Sequence, residues 1–175
     1  MKKAKGIFIL IFCILLAVPV VASANEPQDT YICEEYQKYI CEISDMYCVS
    51  PELIMAMVEA ESSGNPKATN KNTGCKGLMQ IYEKWHVDRM ERLGVTDLYD
   101  PYSNILVGVD YLMELAEEYH ELPLVLMIYN GSSDAFERLE SGEFTEYANK
   151  IMDRAVELTK IHDAERIKYE NKTQI

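Results

Sequence analysis

The stretch Pro51-Glu52-Leu53-Ile54-Met55-Ala56-Met57-Val58-Glu59-Ala60-Glu61-Ser62 constrains this chain most. Ser50 is placed to cap a helix and Pro51 to occupy its first turn, where a missing N–H costs nothing. The helix predicted here ends near Gly64. It is apolar nearly all round, which places it at the centre of a fold rather than on its surface. Two acids interrupt it late. Glu61 follows Val58, Met57 and Ile54 by three, four and seven residues, so it ends an apolar stripe. Glu59 stacks over Met55, Ala56 and Glu52, a face that Glu52 already makes polar. Burial disfavours the charged form of Glu61, and so does the negative end of the helix dipole. A carboxyl group that keeps its proton near neutrality can give it to a glycosidic oxygen. Read from this helix alone, the default for Glu61 is an ordinary helix-end acid, solvated or paired with a Lys.

The rest of the chain is poor in Gly and Pro, and its apolar residues recur at three and four, so the predicted fold is mainly α. A first helix is expected from about Asp29 to Met46. An irregular stretch follows the central helix from Asn65 to Gly77, and a short helix from Leu78 to Leu93. After a loop holding Asp100-Pro101, a helix capped by Ser103 or Asn104 carries Ile105, Gly108, Val109, Leu112 and Leu115 on one face. Leu122 to Tyr129 fits a buried helix or a strand. A long final helix is expected from Glu143 to about Tyr169, with a polar end that frays after His162.

The N-terminus narrows the setting. Lys2, Lys3 and Lys5 precede an apolar run from Ile7 to Val21, and Ala22-Ser23-Ala24 gives a small-residue cleavage pattern. Together these predict a secretory signal peptide over residues 1–24. An N-terminal helical segment (25–47) and a catalytic domain (48–175) would follow, secreted across the cytoplasmic membrane to the cell wall or periplasm. The net charge of −12 argues against nucleic acid and anionic lipid, which need Lys and Arg to neutralise phosphates. It does not oppose a neutral polysaccharide. Cys33, Cys41, Cys48 and Cys75 survive cleavage, and export permits disulfides. The first three recur at about two helical turns and are too far apart to pair within one straight helix. A bridge from this group to Cys75 and four free thiols both remain open. No CxxC or HExxH occurs, and His86, His120 and His162 are scattered, so neither metal nor other cofactor is expected.

Several short blocks then resemble a known family. Glu61-Ser62 is similar to the Glu-Ser pair of lytic transglycosylases with a goose-lysozyme-like fold. Asn65-Pro66 follows as it does there. Gly77-Leu78-Met79-Gln80 resembles the family's Gly-Leu-Met-Gln block. Asp100-Pro101, Asn104-Ile105, Gly108 and Tyr111-Leu112 follow its spacing. Tyr129-Asn130-Gly131 resembles its Ala-Tyr-Asn motif, and Tyr147 stands where a later family Tyr is expected. The resemblance runs from about Val49 to Met152.

It implies a single lysozyme-like domain that cleaves peptidoglycan glycan strands. Glu61 is then the catalytic acid, which protonates the oxygen between N-acetylmuramic acid and N-acetylglucosamine. As a base it next deprotonates the muramic 6-hydroxyl, closing a 1,6-anhydro ring. The substrate's own acetamido group takes the place of a second carboxylate. Gln80 is expected to hydrogen-bond a sugar substituent. Met79 offers apolar surface to a sugar or belongs to the core. Tyr129 points its hydroxyl at Glu61 or packs inside. Tyr147 lines the cleft or packs, and Ser62 and Asn130 complete the substrate-binding set. Two rivals stay open: a hydrolytic muramidase on the same fold, and an inactive wall-binding protein. Enzymes of this kind also serve secretion or conjugation machinery, and the sequence selects no such partner and no oligomeric state.

Overall fold

The computed structural model describes residues 30–173, with side chains through residue 165; the expected signal peptide lies outside the described residues. Among the described residues seven α-helices follow one another: α1 Glu34–Tyr47, α2 Pro51–Ser62, α3 Val87–Leu93, α4 Pro101–Tyr119, α5 Leu122–Tyr129, α6 Ala135–Ser141 and α7 Glu146–Thr173. The described residues hold isolated β-bridges but no strand. The mainly α expectation therefore holds.

Helix α2 is the centre. Leu53, Ile54, Met55, Ala56, Met57 and Val58 are all buried, so six successive residues point into the interior on every side. Only a helix wrapped by others can do that. Ser50 caps it as expected, its hydroxyl accepting the Leu53 N–H at 3.3 Å, with Pro51 in the first turn. Helices α7 and α1 pack against α2, and α4 packs against α5 and α1.

Helix α7 runs antiparallel to α2, and each acid of α2 meets a partner on it. Glu61 meets Tyr147. Glu59 takes two bonds from Arg154, at 2.7 and 3.1 Å. Glu52 pairs with His162 at 3.0 Å. A second polar knot joins α1, α3 and α4. Asp110 is buried on α4 and accepts from Arg89, from Arg92 at 2.6 Å and from Tyr47 at 3.0 Å. A buried carboxylate is tolerated because its charge and lone pairs are all answered.

Several expected boundaries move. Helix α1 begins at Glu34, five residues late. The helix expected from Leu78 to Leu93 is broken. Gly77 and Gln80 have φ of 76° and 48°, in the left-handed region, which halts a right-handed helix. Ile81 then exchanges backbone bonds with Lys76 at 3.0 and 2.9 Å, and a 3-10 turn, Glu83–Trp85, leads into α3. Helix α4 is capped by neither Ser103 nor Asn104. Asp100 caps it, accepting the Ser103 N–H at 2.8 Å, with Pro101 in its first turn. Leu122 to Tyr129 is a helix. Helix α6 was not expected, and α7 begins at Glu146 rather than Glu143. The four cysteines are unpaired, with Cys33, Cys41 and Cys48 exposed.

Candidate active site

Glu61 sits in the last turn of α2, facing α7. Its side chain keeps partial exposure, yet burial is the leading influence on it and holds its carboxyl above the usual carboxylate range. A hydrogen bond from the Tyr147 hydroxyl to Oε1, at 2.5 Å, pulls the other way and offsets part of that rise. Burial, the nearby Glu61 charge and Tyr129 push the Tyr147 phenol far up, so it stays a donor at any working pH. Glu61 is thus a poorly solvated acid held in one orientation by one fixed donor.

Tyr129 lies in the same cluster but does not make that bond. Its hydroxyl donates to the Met79 carbonyl at 3.0 Å. Its ring lies 5.2 Å from that of Tyr111. Burial raises its phenol well above the ordinary value, and the Glu61 charge adds to this. The orienting hydroxyl expected of Tyr129 therefore comes from Tyr147. The reason is topological: α7 runs beside the end of α2, while the end of α5 reaches the loop that carries Met79.

That loop is held by Asn104. Its Oδ1 accepts the Met79 N–H at 2.7 Å, and its Nδ2 donates to the carbonyls of Lys76 and Leu98, each at 2.9 Å. Gly77 lies so near that a Cβ there would fall 2.2 Å from Asn104 Nδ2. The Met79 side chain is fully buried, packed where a Cβ on Gly108 would fall 2.4 Å from its sulfur. It presents no surface to a sugar, which corrects the expectation for that side chain. Gln80 takes its left-handed turn here and is half-buried, with Nε2 donating to the Gly77 carbonyl at 2.9 Å. Among the described residues no donor meets its amide oxygen, which is left open to a ligand. Ser62 donates back to the Val58 carbonyl at 3.1 Å. Asn130 is exposed and ends α5.

The structure therefore brings Glu61, Tyr147, Tyr129 and the Met79–Gln80 backbone together, with Ser62 beside them on α2. Asn104 was missed as a positioning residue because a polar residue after Asp-Pro reads as a cap. Arg154 was missed because a cation within a polar final helix reads as solvated. Among the described residues, no second acid couples to Glu61. Burial and Tyr147 are the influences on its carboxyl, Glu59 is engaged by Arg154, and Asp100 caps α4. A glycosidase with two carboxylates would need another acid across the bond. A groove of about 560 Å³ lined by Tyr31, Ala56, Glu59, Lys150 and Arg154 lies on the Glu59 side of α2, away from Glu61.

Known proteins share part of this sequence and this fold. The family model of the Transglycosylase SLT domain matches residues 38–151. The transglycosylase of Enterobacteria phage PRD1 is 36% identical over 91 residues, covering 52% of this chain and 32% of the relative. Membrane-bound lytic murein transglycosylase E of Buchnera aphidicola subsp. Acyrthosiphon pisum (strain APS) is 31% identical over 93 residues, covering 49% of this chain and 42% of the relative. The chain thus spans less than half the length of these relatives. Among solved structures, the 70 kDa soluble lytic transglycosylase of Escherichia coli superposes with a TM-score of 0.62 at 18% identity, over 73% of this chain and 24% of that one. An inactive variant of the lytic transglycosylase Slt from Pseudomonas aeruginosa gives 0.61 at 19%, with the same coverage. These two likenesses concern the fold alone. With the family model matched across most of the chain, the chain belongs to the Transglycosylase SLT domain family.

Proposed function

We propose that this protein is a lytic transglycosylase that cuts the glycan strand of peptidoglycan between N-acetylmuramic acid and N-acetylglucosamine. The observation that carries the reading is the state of Glu61: a single poorly solvated carboxyl, held above its usual range and oriented by one tyrosine. Family membership and the murein substrate named for the Buchnera relative support the substrate class.

In this reading Glu61 begins protonated and gives its proton to the leaving oxygen as the bond breaks. The carboxylate so formed is stabilised by the Tyr147 hydroxyl. It then takes the proton of the muramic 6-hydroxyl, which attacks the anomeric carbon and closes the anhydro ring. The positive charge that develops in between is met by the substrate's own acetamido group, which agrees with the absence of a second acid coupled to Glu61. Gln80 holds a sugar substituent through its amide. Ser62, Tyr129 and Asn130 complete the wall, with Met79 contributing its backbone. Action on murein places the working protein outside the cytoplasmic membrane, and residues 1–24 are the export signal of this reading. No helix among the described residues is long and apolar enough to cross a membrane.

The test is a wall-clearing assay with Glu61→Gln, a near-isosteric change. Purified peptidoglycan should clear with the native protein and stay turbid with the variant, while the variant's circular dichroism is unchanged. Equal clearing by both proteins would reject Glu61 as the acid.

A further inference from the structure

Trp85 is the single tryptophan of the chain, and it is 77% exposed. It closes the 3-10 turn that follows the Gln80 loop. The ring of Tyr82 meets it edge to face, with centroids 5.2 Å apart and planes at 84°. This is a favoured aromatic geometry, and it holds the indole in place while most of it faces water.

The position of this pair relative to the site follows from the backbone. Lys76 and Ile81 exchange backbone bonds, Lys76 pairs with Glu83, and a Cβ on Gly74 would touch the Tyr82 ring at 4.0 Å. Residues 74–76 and 81–85 therefore form one ribbon. His86, the residue after Trp85, sets its ring 4.6 Å from that of Tyr111, which in turn lies 5.2 Å from the Tyr129 ring. The segment that carries the aromatic pair is thus joined to the Glu61 cluster through the ring contacts to Tyr129 and through the Met79–Gln80 loop, whose Met79 carbonyl accepts from Tyr129. The same segment is basic in an acidic chain. Residues 65–84 carry Lys67, Lys71, Lys76 and Lys84 against Glu83 alone, whereas the whole chain stands at −12.

We propose that Trp85, backed by Tyr82, is a stacking platform for a sugar of the glycan strand away from the bond being cut. The inference rests on the reading of the site as a glycan-cleaving centre, and it makes this ribbon the origin of a preference for long strands. The C–H face of a pyranose carries slight positive charge and suits the negative face of an indole. One ring and its neighbour are far too small for a protein interface. The surrounding lysines spare a strand whose peptide stems end in carboxylates the repulsion that the rest of the surface would impose.

The single tryptophan makes the test direct. Glu61→Gln protein is titrated with isolated glycan strands and its tryptophan emission followed. A saturable blue shift with altered intensity is expected. In the native background, Trp85→Ala should raise KM on long strands about tenfold and leave kcat unchanged. Trp85→Phe should recover most of the loss. Cleavage of short fragments should be unaffected by either change. Emission that does not move at strand concentrations saturating the native enzyme, or a native KM in Trp85→Ala, would overturn the proposal. The titration needs no turnover, so an active Glu61→Gln protein would sink the catalytic reading and leave the stacking result to stand or fall separately.

Discussion

A buried carboxyl group leaves a signature in stability as well as in rate. Burial raises the Glu61 pKa above its unfolded value. The sign follows from linkage: full stability is present below the ordinary carboxylate range and is lost as pH rises through the folded value. Glu61→Gln removes that loss. Its melting temperature should match the native one at strongly acid pH and exceed it at neutral pH. Thermal melts across pH check this, and a variant less stable than native at neutral pH would contradict it. Activity should show the same group as an alkaline limb, because the proton donor disappears as Glu61 ionises. Tyr147 lowers this pKa by stabilising the anion, so Tyr147→Phe should move the limb to higher pH while kcat drops by about tenfold or more. Tyr129→Phe breaks a bond to the Met79 carbonyl instead and should lower activity without moving the limb. A limb that moves with Tyr129 rather than Tyr147 would reverse the two roles. The sequence placed Glu61 on the apolar stripe correctly, because helical spacing alone fixes that. It did not say which tyrosine reaches the acid, because that depends on where α5 and α7 end in space.

Elements were legible where one period dominated. Helix α2 announced itself by Ser50, Pro51 and an unbroken apolar run, and α4 by its spaced aliphatic face. The stretch from Leu78 to Leu93 was not legible, because its apolar residues are buried by a turn and a ribbon rather than by one helical face. Its organiser is Asn104, whose three bonds converge on Lys76, Met79 and Leu98. Asn104→Ala leaves the buried Met79 N–H and the Leu98 carbonyl unanswered, while the Lys76 carbonyl keeps the Ile81 N–H, so it should cost about 3 kcal/mol in urea unfolding and reduce activity through the Gln80 loop. A loss below about 0.5 kcal/mol, within the range of ordinary surface changes, would mean that the loop holds itself. Gly108 shows the same dependence on close approach: its missing Cβ makes room for Met79. The pattern marked Gly108 but could not say that a methionine fills the space.

At the scale of the molecule, the seam between α2 and α7 and the Asp110 knot act together. Burial pushes Glu52, Glu59 and Asp110 upward, but His162 and Ser50, Arg154, and the Arg92, Arg89 and Tyr47 group respectively outweigh it, and all three carboxyls stand below their ordinary values. Their stabilisation is present above the ordinary carboxylate range and lost as pH falls through the lowered values. The protein should therefore unfold in acid, and removing Arg154 or Arg92 should weaken the acid dependence. These links were invisible in the sequence, since each partner lies many residues away on another helix. The charge balance and the absence of a second matched acid were visible, and they bear on the reaction itself. The most direct test is therefore the mass of the soluble fragments released from purified peptidoglycan. A transglycosylase with Glu61 as sole acid and base predicts muramic ends lighter by one water, the 1,6-anhydro form, and none from Glu61→Gln. Muramic ends carrying that water would identify a hydrolase and contradict the account.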